Sequence, residues 1–579
     1  MEQSKAAWEL FCEESTASES DSDGAVETDV PTRSAALRLP QDALSLVVAL
    51  LAPAECAAFE CTSRASILAL ELACNEISGL GRRCGESWSA LIAFARKRAV
   101  PTRRLALGHE IGAAIDRHGI LWMFGSAPWA RRLALISEVG TPRPLPTALL
   151  GGATRCRSVA IGHRHVVVAT HAGVVYTYGS ASHGQLGRAI HADEPNTPFL
   201  DSTGCAVRSA CVEPLRAERV VAVAAGACHS LALTSTGALY AWGHDALGQC
   251  GVRAAPAEAK VDGPPNPFRV RHPYIRLLPA EVHHTGRGER APRVARIGAS
   301  QSASAAVTAT GLLYAAGTRG FSRAERDGAR CSARAGLWPV RRRDASTERS
   351  SRSGARPPCR TLRRRAAAIV AVSTGASASF VLACDADGAC WSYGSNEWGQ
   401  LGAQRVGAAG ASSPERGGFT RVEFPDAPRA RIVDVAAGEA HALAVDRNGS
   451  LWAWGDNRRA QCGVGRDATR GAIGAAISAP HCVAVVDDVE GKSNGSGSGE
   501  GGARSECEGG ARASYRAVAV AAGGSSSMCR AVRSSDGEES TWAWGDDGDS
   551  ESRSGLGFGD PATSSDGVRV EVRPRRHGG

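Results

Sequence analysis

Short apolar segments alternate with glycine-bearing turns over most of this 579-residue chain, and one such pattern recurs seven times. In the stretch GACHSLALTSTGALYAWG, two apolar runs flank a Ser-Thr-Gly turn, and a glycine stands near each end. Apolar runs this short favour strands over helices. The x-Gly pair between them supplies the positive φ that a tight hairpin turn needs. Each copy therefore predicts a β-hairpin.

The copies share an opening and a closing glycine. The opening glycines are Gly108, Gly162, Gly226, Gly298, Gly375, Gly438 and Gly523. The closing glycines are Gly125, Gly179, Gly243, Gly317, Gly394, Gly455 and Gly545. One hairpin cannot bury its own apolar face, whereas repeated β units arranged around an axis bury one another. The sequence therefore predicts an all-β fold class, a seven-bladed β-propeller.

A Gly-Gln-Leu-Gly element follows some of the copies, at 184–187 and 399–402, with variants at 248–251, 460–463 and 555–557. With this element, the repeat resembles that of the regulator of chromosome condensation family, whose fold is a seven-bladed β-propeller. The resemblance implies a propeller domain over residues 101–579, whose last strand is VRVEVRP at 568–574. It also implies a possible role as an exchange factor for a Ran-like small GTPase, although no segment matches that activity's wedge convincingly.

The first hundred residues predict two further regions. Residues 1–34 are acidic, serine-rich and poor in large apolar side chains, which is typical of a disordered tail. Residues 35–100 begin with Leu-Pro-x-Asp and an apolar helical face that ends at Pro53. This order resembles an F-box, which implies docking to a Skp-type adaptor and a cullin complex; a helical cap that packs on the propeller is the alternative. The implied adaptor-binding residues are Leu39, Pro40, Leu44, Val48 and Leu51.

Positive charge is concentrated in one insertion, residues 318–368. Between Thr318 and Arg365 there are fifteen arginines and four acidic residues, an excess larger than the net charge of +8 for the whole chain. The insertion contains two triplets, which are Arg341, Arg342, Arg343 and Arg363, Arg364, Arg365. They are candidates for a nuclear signal or for phosphate contacts, and a solvated loop is the alternative. A Gly/Ser-rich insertion is predicted at 491–512, and Pro-containing loops are predicted at 189–218 and 253–292.

Signatures of enzyme and metal sites are missing from the sequence. The eighteen cysteines form no CxxC pair and no zinc spacing, and no P-loop, GxSxG, HExxH or kinase motif is present. His165, His229 and His441 each stand three residues after an opening glycine, and this recurrence predicts a shared structural hydrogen bond. The sequence therefore predicts no catalytic residue, no metal and no cofactor.

These observations together predict a non-catalytic interaction scaffold, a substrate receptor of a cullin-type ubiquitin ligase whose propeller binds an unknown protein substrate. The alternatives are an exchange factor for a Ran-like GTPase and a chromatin-associated scaffold. The apolar run 43–52 is about half of the ~20 residues that cross a bilayer. We therefore expect no membrane partner, a monomeric propeller, and a cytoplasmic or nuclear location.

Overall fold

The computed structural model divides the chain into two units by its internal contacts, Met1–Ala99 and Val100–Gly579. The structure describes residues 86–96, 104–137, 142–187, 205–252, 275–282, 293–317, 338–339, 367–375, 380–402, 419–463, 476–483, 515–535, 537, 539–545 and 568–570. The predicted F-box residues 39–51, the acidic tail and both arginine triplets lie outside these ranges.

The second unit contains 28 described strands in chain order. The first three blades contain β1 Leu105–Leu107, β2 Ile111–Ile115, β3 Leu121–Gly125, β4 Arg143–Pro144, β5 Cys156–Ile161, β6 His165–Thr170, β7 Val175–Ser180, β8 Cys205–Cys211, β9 Val220–Ala225, β10 His229–Thr234, β11 Leu239–His244 and β12 Ile275–Glu281. Blades 4 and 5 contain β13 Val294–Ala299, β14 Ala303–Thr308, β15 Leu313–Gly317, β16 Trp338–Pro339, β17 Ile369–Ser373, β18 Phe380–Asp385, β19 Cys390–Gly394 and β20 Thr420–Arg421. Blades 6 and 7 contain β21 Ile432–Ala437, β22 His441–Asp446, β23 Leu451–Gly455, β24 Ile477–Val483, β25 Tyr515–Gly523, β26 Ser526–Arg533, β27 Glu539–Gly545 and β28 Val568–Val570.

These strands form seven four-stranded antiparallel sheets, each a meander of four strands that are consecutive in the chain. The first strand of every sheet contacts the first strand of the next sheet, and β25 contacts β1, so the ring is closed. This arrangement confirms the prediction of a seven-bladed β-propeller. Within the described residues of the propeller, helical structure is limited to one short helix, Pro128–Arg132, and two 3-10 turns, Thr147–Leu150 and Glu213–Leu215.

The apolar core is divided among the interfaces between blades. Seven clusters of buried side chains each combine residues from two neighbouring blades. The cluster that joins blade 7 to blade 1 contains Leu105, Leu107, Ala114, Phe124, Ala521, Met528 and Ala543. Burial of apolar surface therefore stabilises neighbouring blades against each other, which explains why no single hairpin is expected to fold alone.

The conserved spacing of the glycines has a steric cause, which two of them illustrate. Gly243 closes the third hairpin with φ of 104°, and a Cβ there would lie 2.7 Å from the Cα of His229. Gly162 follows a first strand, and a Cβ there would lie 2.6 Å from the carbonyl oxygen of Gly226 in the next blade. Only a residue without a side chain allows both approaches.

In two blades, the strand pairing differs from the pairing expected when the copies are aligned by their opening glycines. In blade 4, Gly298 lies inside β13, and the amide of Ser300 makes the turn hydrogen bond to Ala303 that an opening glycine makes elsewhere. In blade 5, Gly375 follows the first strand as expected, but Phe380 pairs with the closing Gly394. The first turn of blade 5 is therefore longer. The opening and closing glycines are 19 residues apart in blades 4 and 5, against 17 in four other copies, and this longer spacing has a different origin in each of the two blades.

The described part of the first unit is one helix, α1 (Trp88–Arg96). Ser87 caps its first turn, since the Ser87 hydroxyl accepts the amide of Ala90 at 3.1 Å. The side chains of Leu91, Ile92, Ala93 and Phe94 are buried. A helix in this region agrees with a helical character of the first unit but does not test the F-box.

The glutamine of the Gly-Gln-Leu-Gly element joins neighbouring blades through its main-chain carbonyl. The carbonyl of Gln185 in blade 2 accepts the hydroxyl of Ser230 at 2.9 Å and the indole N–H of Trp242 at 2.8 Å, both from blade 3. Gln461 of blade 6 repeats this arrangement with two donors of blade 7, Ser527 at 2.6 Å and Trp544 at 3.0 Å. The repeat element thus carries an acceptor that only the next blade satisfies.

The other two glutamine carbonyls have one of these donors each. The carbonyl of Gln249 accepts the hydroxyl of Ser304 at 2.6 Å, and that of Gln400 accepts the indole of Trp454 at 2.9 Å. The glutamine side chains close their own turns: the Gln400 Oε1 accepts the amide of Trp398 at 2.8 Å. All four glutamines are buried, so the main-chain bonds are protected from water.

Blade 2 follows a blade without this element, and its Trp position holds Tyr178. The Tyr178 hydroxyl donates to the carbonyl of Leu149 at 2.7 Å, in the 3-10 turn of blade 1. A different donor and a different acceptor therefore replace the repeat bond at this interface. In blades 1 and 5 the same position holds Phe124 and Tyr393.

We expect Trp454→Phe to destabilise the propeller more than Trp242→Phe. Both substitutions remove a similar volume. Trp454→Phe leaves the carbonyl of Gln400 with no donor among the described residues, whereas after Trp242→Phe the carbonyl of Gln185 still accepts the hydroxyl of Ser230. A buried acceptor that loses its partner costs about 1–3 kcal/mol. Urea unfolding of the two variants measures the difference. Equal losses of stability would contradict a bonding role for the indole.

We also expect Ala460→Gly to stabilise the protein. Ala460 occupies the first position of its Gln element with φ of 56°, where the other three described copies have glycine. A non-glycine residue in this region costs on the order of 1 kcal/mol or more, which glycine's unfolded-state entropy offsets in part. Thermal unfolding should show a higher Tm, with Gly248→Ala as the reverse control. An unchanged or lower Tm would show that the turn is not strained.

Candidate interaction face

The meander of each sheet divides its turns between two faces of the ring. Turns from first to second strands and from third to fourth strands lie on one face, called here the mouth face. Turns from second to third strands and the connections between blades lie on the other, the hairpin face. The mouth face therefore carries the residues that follow the opening glycines together with the Gln elements.

A cavity of about 410 Å³ lies at the centre of the mouth face. Its lining, called the mouth, is His109, His163, Ala227, Gln301, Ser395, Glu397, Trp398, Gln400, Glu439 and Ala440. These residues come from turns of six different blades. Apart from Gln400, they lie outside the repeated glycines and glutamines that hold the backbone, so their side chains can differ from blade to blade. Beneath the mouth, the first strands surround a channel space of only about 50 Å³.

Two neighbouring blades place an aromatic ring and a guanidinium together at the mouth. The Arg458 Cζ lies 3.7 Å from the ring centroid of Trp398, a cation–π contact. Asp456 holds Arg458 with two bonds, from Nε at 2.9 Å and from Nη2 at 3.0 Å. The loop of Trp398 is fixed by Gln400, whose carbonyl is bonded to Trp454. The pair is therefore held in one arrangement.

The charges at the mouth are mixed. Burial and then the nearby Arg164 and His109 lower the pKa of His163, against the opposite effect of Glu439 and Glu110. Burial raises the pKa of Asp456, but the bonds and the charge of Arg458 outweigh it, so that the net pKa is lowered. At neutral pH the mouth thus presents neutral imidazole at His163 beside the carboxylates of Glu397 and Glu439, and the guanidinium of Arg458 adjoins it over the ring of Trp398.

The recurring histidines are bonded to serines of the next blade. His165 Nε2 lies 3.0 Å from Ser230 Oγ, His229 Nε2 lies 3.0 Å from Ser304 Oγ, and His441 Nε2 lies 2.8 Å from Ser527 Oγ. Each serine hydroxyl donates its one proton to a glutamine carbonyl. The histidine nitrogen must then be the donor, which fixes the tautomer.

These Ser–His pairs have the spacing of a nucleophile and its base but not the environment. All three imidazoles are fully buried. Burial, the largest effect in each case, lowers the pKa of His165 and of His229 to about 3 and that of His441 to about 4. A base with so low a pKa, facing a serine that donates elsewhere, does not activate a nucleophile. The pairs join blades, which is the structural role that their recurrence predicts.

Searches of the described residues give two further results. Among them, no group of three or more His, Cys, Asp or Glu residues is arranged to hold a metal ion. Within the same ranges, no helix has the length and apolar character that a bilayer crossing requires. The adaptor-binding residues Leu39, Pro40, Leu44, Val48 and Leu51 and the triplets Arg341–Arg343 and Arg363–Arg365 stay predictions, because they lie outside the described residues.

Sequence profiles of the regulator of chromosome condensation (RCC1) repeat match four stretches of the chain, 172–233 and 387–445 with one profile, 220–249 and 432–461 with another. The matches fall on blades 2–3 and 5–6, where the structure shows the Gln elements. These stretches of the chain match the RCC1 repeat. In the blades that the profiles do not match, such as blade 1, the same four-stranded meander occurs without the Gln element.

Relatives with this repeat have different functions. The chain is 26% identical over 369 residues to E3 ubiquitin-protein ligase HERC2 of Homo sapiens, a match that covers 62% of this chain but 6% of the ligase. It is 26% identical over 385 residues to the Ultraviolet-B receptor UVR8 of Arabidopsis thaliana, covering 62% of this chain and 72% of the receptor. The chain thus spans a small part of the ligase, whose activity is not carried over by the match.

Solved structures with a similar arrangement include Prp20p of Saccharomyces cerevisiae, a protein characterised for binding to Gsp1p and histones. It has a TM-score of 0.49 and 17% identity, and the match covers 75% of this chain and 82% of Prp20p. Human WBSCR16 has a TM-score of 0.47 and 18% identity, with coverage of 72% and 84%. These scores carry no argument about function, and the propeller assignment rests on the seven sheets of this chain.

The buried histidines predict a loss of stability in mild acid. Their folded-state pKa values are depressed below the ordinary value of about 6.5, so the unfolded chain binds protons that the folded chain does not. The contribution is fully present above pH ~6.5 and is lost as the pH falls toward 4.

Urea unfolding at pH 7, 6 and 5 measures this effect in a range where most carboxylates stay ionised. His229→Gln, whose amide can still donate to Ser304, should reduce the slope of the unfolding free energy against pH. His118→Gln, a substitution at an exposed histidine, is the matched control against which this reduction is measured. Equal slopes for the wild type and His229→Gln would exclude the buried imidazole as the source.

Proposed function

We propose that this protein is a non-catalytic interaction scaffold that holds a protein partner at the mouth of its propeller. The observation that carries the proposal is the fixed Trp398–Arg458 pair. Trp and Arg are the residues that dominate binding energy at protein interfaces, above all where they are held in place before binding. Here a tryptophan outside the repeat's bonding pattern stands at the mouth with a guanidinium over its ring.

The character of the mouth favours a protein over a small molecule. Small-molecule sites are mostly apolar and enclose their ligand, whereas the mouth is lined by imidazoles, glutamines and carboxylates from five blades and by Ala227 from a sixth. A partner that contacts several turns at once suits this distribution. No enzyme family is indicated by the repeat, and the Ser–His pairs of the described residues are buried bonds between blades.

The finer form of the proposal is a substrate receptor of a cullin-type ubiquitin ligase. Its support is the order of the sequence: an F-box-like segment with Leu39, Pro40, Leu44, Val48 and Leu51 precedes a repeat scaffold. The similarity to a ligase, HERC2, is confined to the repeats and therefore does not by itself support this form.

Partner capture tests the scaffold. Tagged full-length chain should retain partners from its host's extract that the double variant Trp398→Ala/Arg458→Ala loses. The matched control is Leu247→Ala, because Leu247 is 47% exposed and occupies the same position of the Gln element in blade 3. The proposal fails if the double variant retains the same proteins as the wild type.

Two assays separate the finer forms. Purification of the full chain with the host's Skp-type adaptor and cullin should be abolished by Leu44→Glu/Val48→Glu, and unchanged retention would exclude the F-box. Nucleotide release from a Ran-like GTPase should not accelerate when the full chain is added. Acceleration that the Trp398→Ala/Arg458→Ala variant removes would instead identify the mouth as an exchange-factor surface.

A further inference from the structure

An arginine recurs at equivalent positions on the hairpin face, opposite the mouth. In six blades, one residue of the first strand donates its amide to the carbonyl of the hairpin glycine in the preceding blade. Cys156 donates to Gly119 at 2.7 Å, and Val220 donates to Gly173 at 3.1 Å. The position before that donor holds Arg155, Arg219, Arg293, Ala368, Arg431 and Arg516 in blades 2 to 7. The repeat thus places arginines at equivalent points around this face.

At blades 1 to 3, these arginines lie near further basic side chains. The amide of His171 donates to the carbonyl of Arg155 at 3.0 Å, and a Cβ at Gly173 would lie 2.8 Å from the Cγ of Arg219. Arg104 belongs to the same edge, since its carbonyl accepts the amide of Ile115 at 2.7 Å. With Arg157 on β5, these residues are called the basic arc: Arg104, Arg155, Arg157, His171 and Arg219.

Arg157 is the member of the basic arc with no place in the repeat. It is the extra residue of a β-bulge between Cys156 and Ser158. The bulges at the same place in blades 3 to 7 hold Val221, Ala295, Val370, Val433 and Val518. Its Nε is buried and has no hydrogen-bond partner among the described residues. A guanidinium at an apolar position, with an unused donor, indicates a ligand that the chain itself does not supply.

Acidic residues near the basic arc are already occupied. The Asp116 carboxylate accepts the amides of His118 at 2.8 Å and Ile120 at 2.9 Å and the indole of Trp122 at 3.2 Å. Glu213 pairs with Arg216 at 3.3 Å, and Glu218 accepts the hydroxyl of Tyr240 at 3.2 Å. No salt bridge joins an arginine of the basic arc to a carboxylate within the described residues.

The surrounding charges are consistent with an uncompensated cluster. Burial and then the charges of Arg155, Arg157, Arg104 and Arg219 lower the pKa of His171. Burial and then the charge of Arg219 lower the pKa of Arg157. In both cases every charged group that contributes is another cation.

We propose that the basic arc binds an acidic peptide segment, rich in Asp and Glu, of a protein partner. The arc follows the curved edge of three blades, which an extended peptide can track. Planar guanidinium groups pair with carboxylates through two parallel bonds. The arc lacks the stacked aromatic rings that single-stranded nucleic acid uses. This surface lies opposite the mouth, so the inference does not rest on the function proposed there.

Fluorescence anisotropy with the full chain and a labelled twelve-residue peptide of alternating Glu and Ser tests the proposal. The wild type should bind this peptide and not its Gln/Ser counterpart. Arg155→Gln/Arg219→Gln should weaken binding about tenfold or more, because two charged bonds are lost and each is worth about severalfold in Kd at an exposed site. The charge-matched control Arg421→Gln/Arg429→Gln, exposed positions around blade 5, should stay within about twofold.

Two further variants make the test specific to the site. Arg157→Val installs the residue of the other blades and should weaken binding severalfold while leaving urea unfolding unchanged. Burial and the charges of four arginines lower the pKa of His171, so this side chain is neutral at pH 7.5, and His171→Ala should weaken binding at that pH less than Arg155→Gln/Arg219→Gln does.

Several results would overturn the proposal. They are no binding by the wild type, an equal loss in the control pair, and no effect of Arg157→Val. Duplex DNA or pyrophosphate that displaces the peptide at lower concentration, with the same dependence on Arg155 and Arg219, would reassign the arc to phosphate and contradict a peptide ligand.

Discussion

At four of the seven interfaces, neighbouring blades are joined by a bond to the main-chain carbonyl of the preceding blade's glutamine. Its acceptor sits in a turn that the glutamine side chain itself closes, and its donors are a serine hydroxyl and an indole of the next sheet. Because the acceptor is buried, leaving it unpaired is costly. Apolar clusters supply the attraction between blades, and this bond fixes their relative position.

The recurring histidines add one more hydrogen bond to this arrangement. A buried imidazole donates to the serine that donates to the carbonyl, so one chain of hydrogen bonds runs from the second strand of a blade to that of the next and back to the Gln turn. Such chains polarise their members in a low-dielectric interior. Where the element is missing, as before blade 2, Tyr178 makes another bond instead, so the constraint survives a change of its parts.

Sequence reasoning predicted the hairpins well because their signals are strong and local. A glycine with positive φ and two short apolar runs leave few alternatives. The fourth strands were harder: β8 and β12 lie in segments whose composition indicates loops, since an outer strand that pairs on one side needs little apolar pattern. The register of Gly298 was misplaced by two residues, because another small residue, Ser300, begins that turn and leaves no signal that distinguishes it.

The candidate sites were beyond prediction for a different reason. Trp398 looks like the packing aromatics in the sequence, and only its loop in space separates it from Trp454. Arg157 looks like any other arginine until the bulges of five blades show Val or Ala in its place. Residues of this kind become visible when the repeat is superposed on itself, since function resides where one copy departs from the rest.

Because every sheet is built from four consecutive strands, no strand crosses between blade 7 and blade 1. Six interfaces join sheets that follow each other along the chain, whereas the seventh joins Leu105 and Leu107 to Ala521 and Met528 across almost the whole propeller sequence. The entropy of closing so long a loop falls on that seam alone. The ring is therefore closed by non-covalent packing at this seam, without the direct chain connection that joins the other pairs of neighbouring blades.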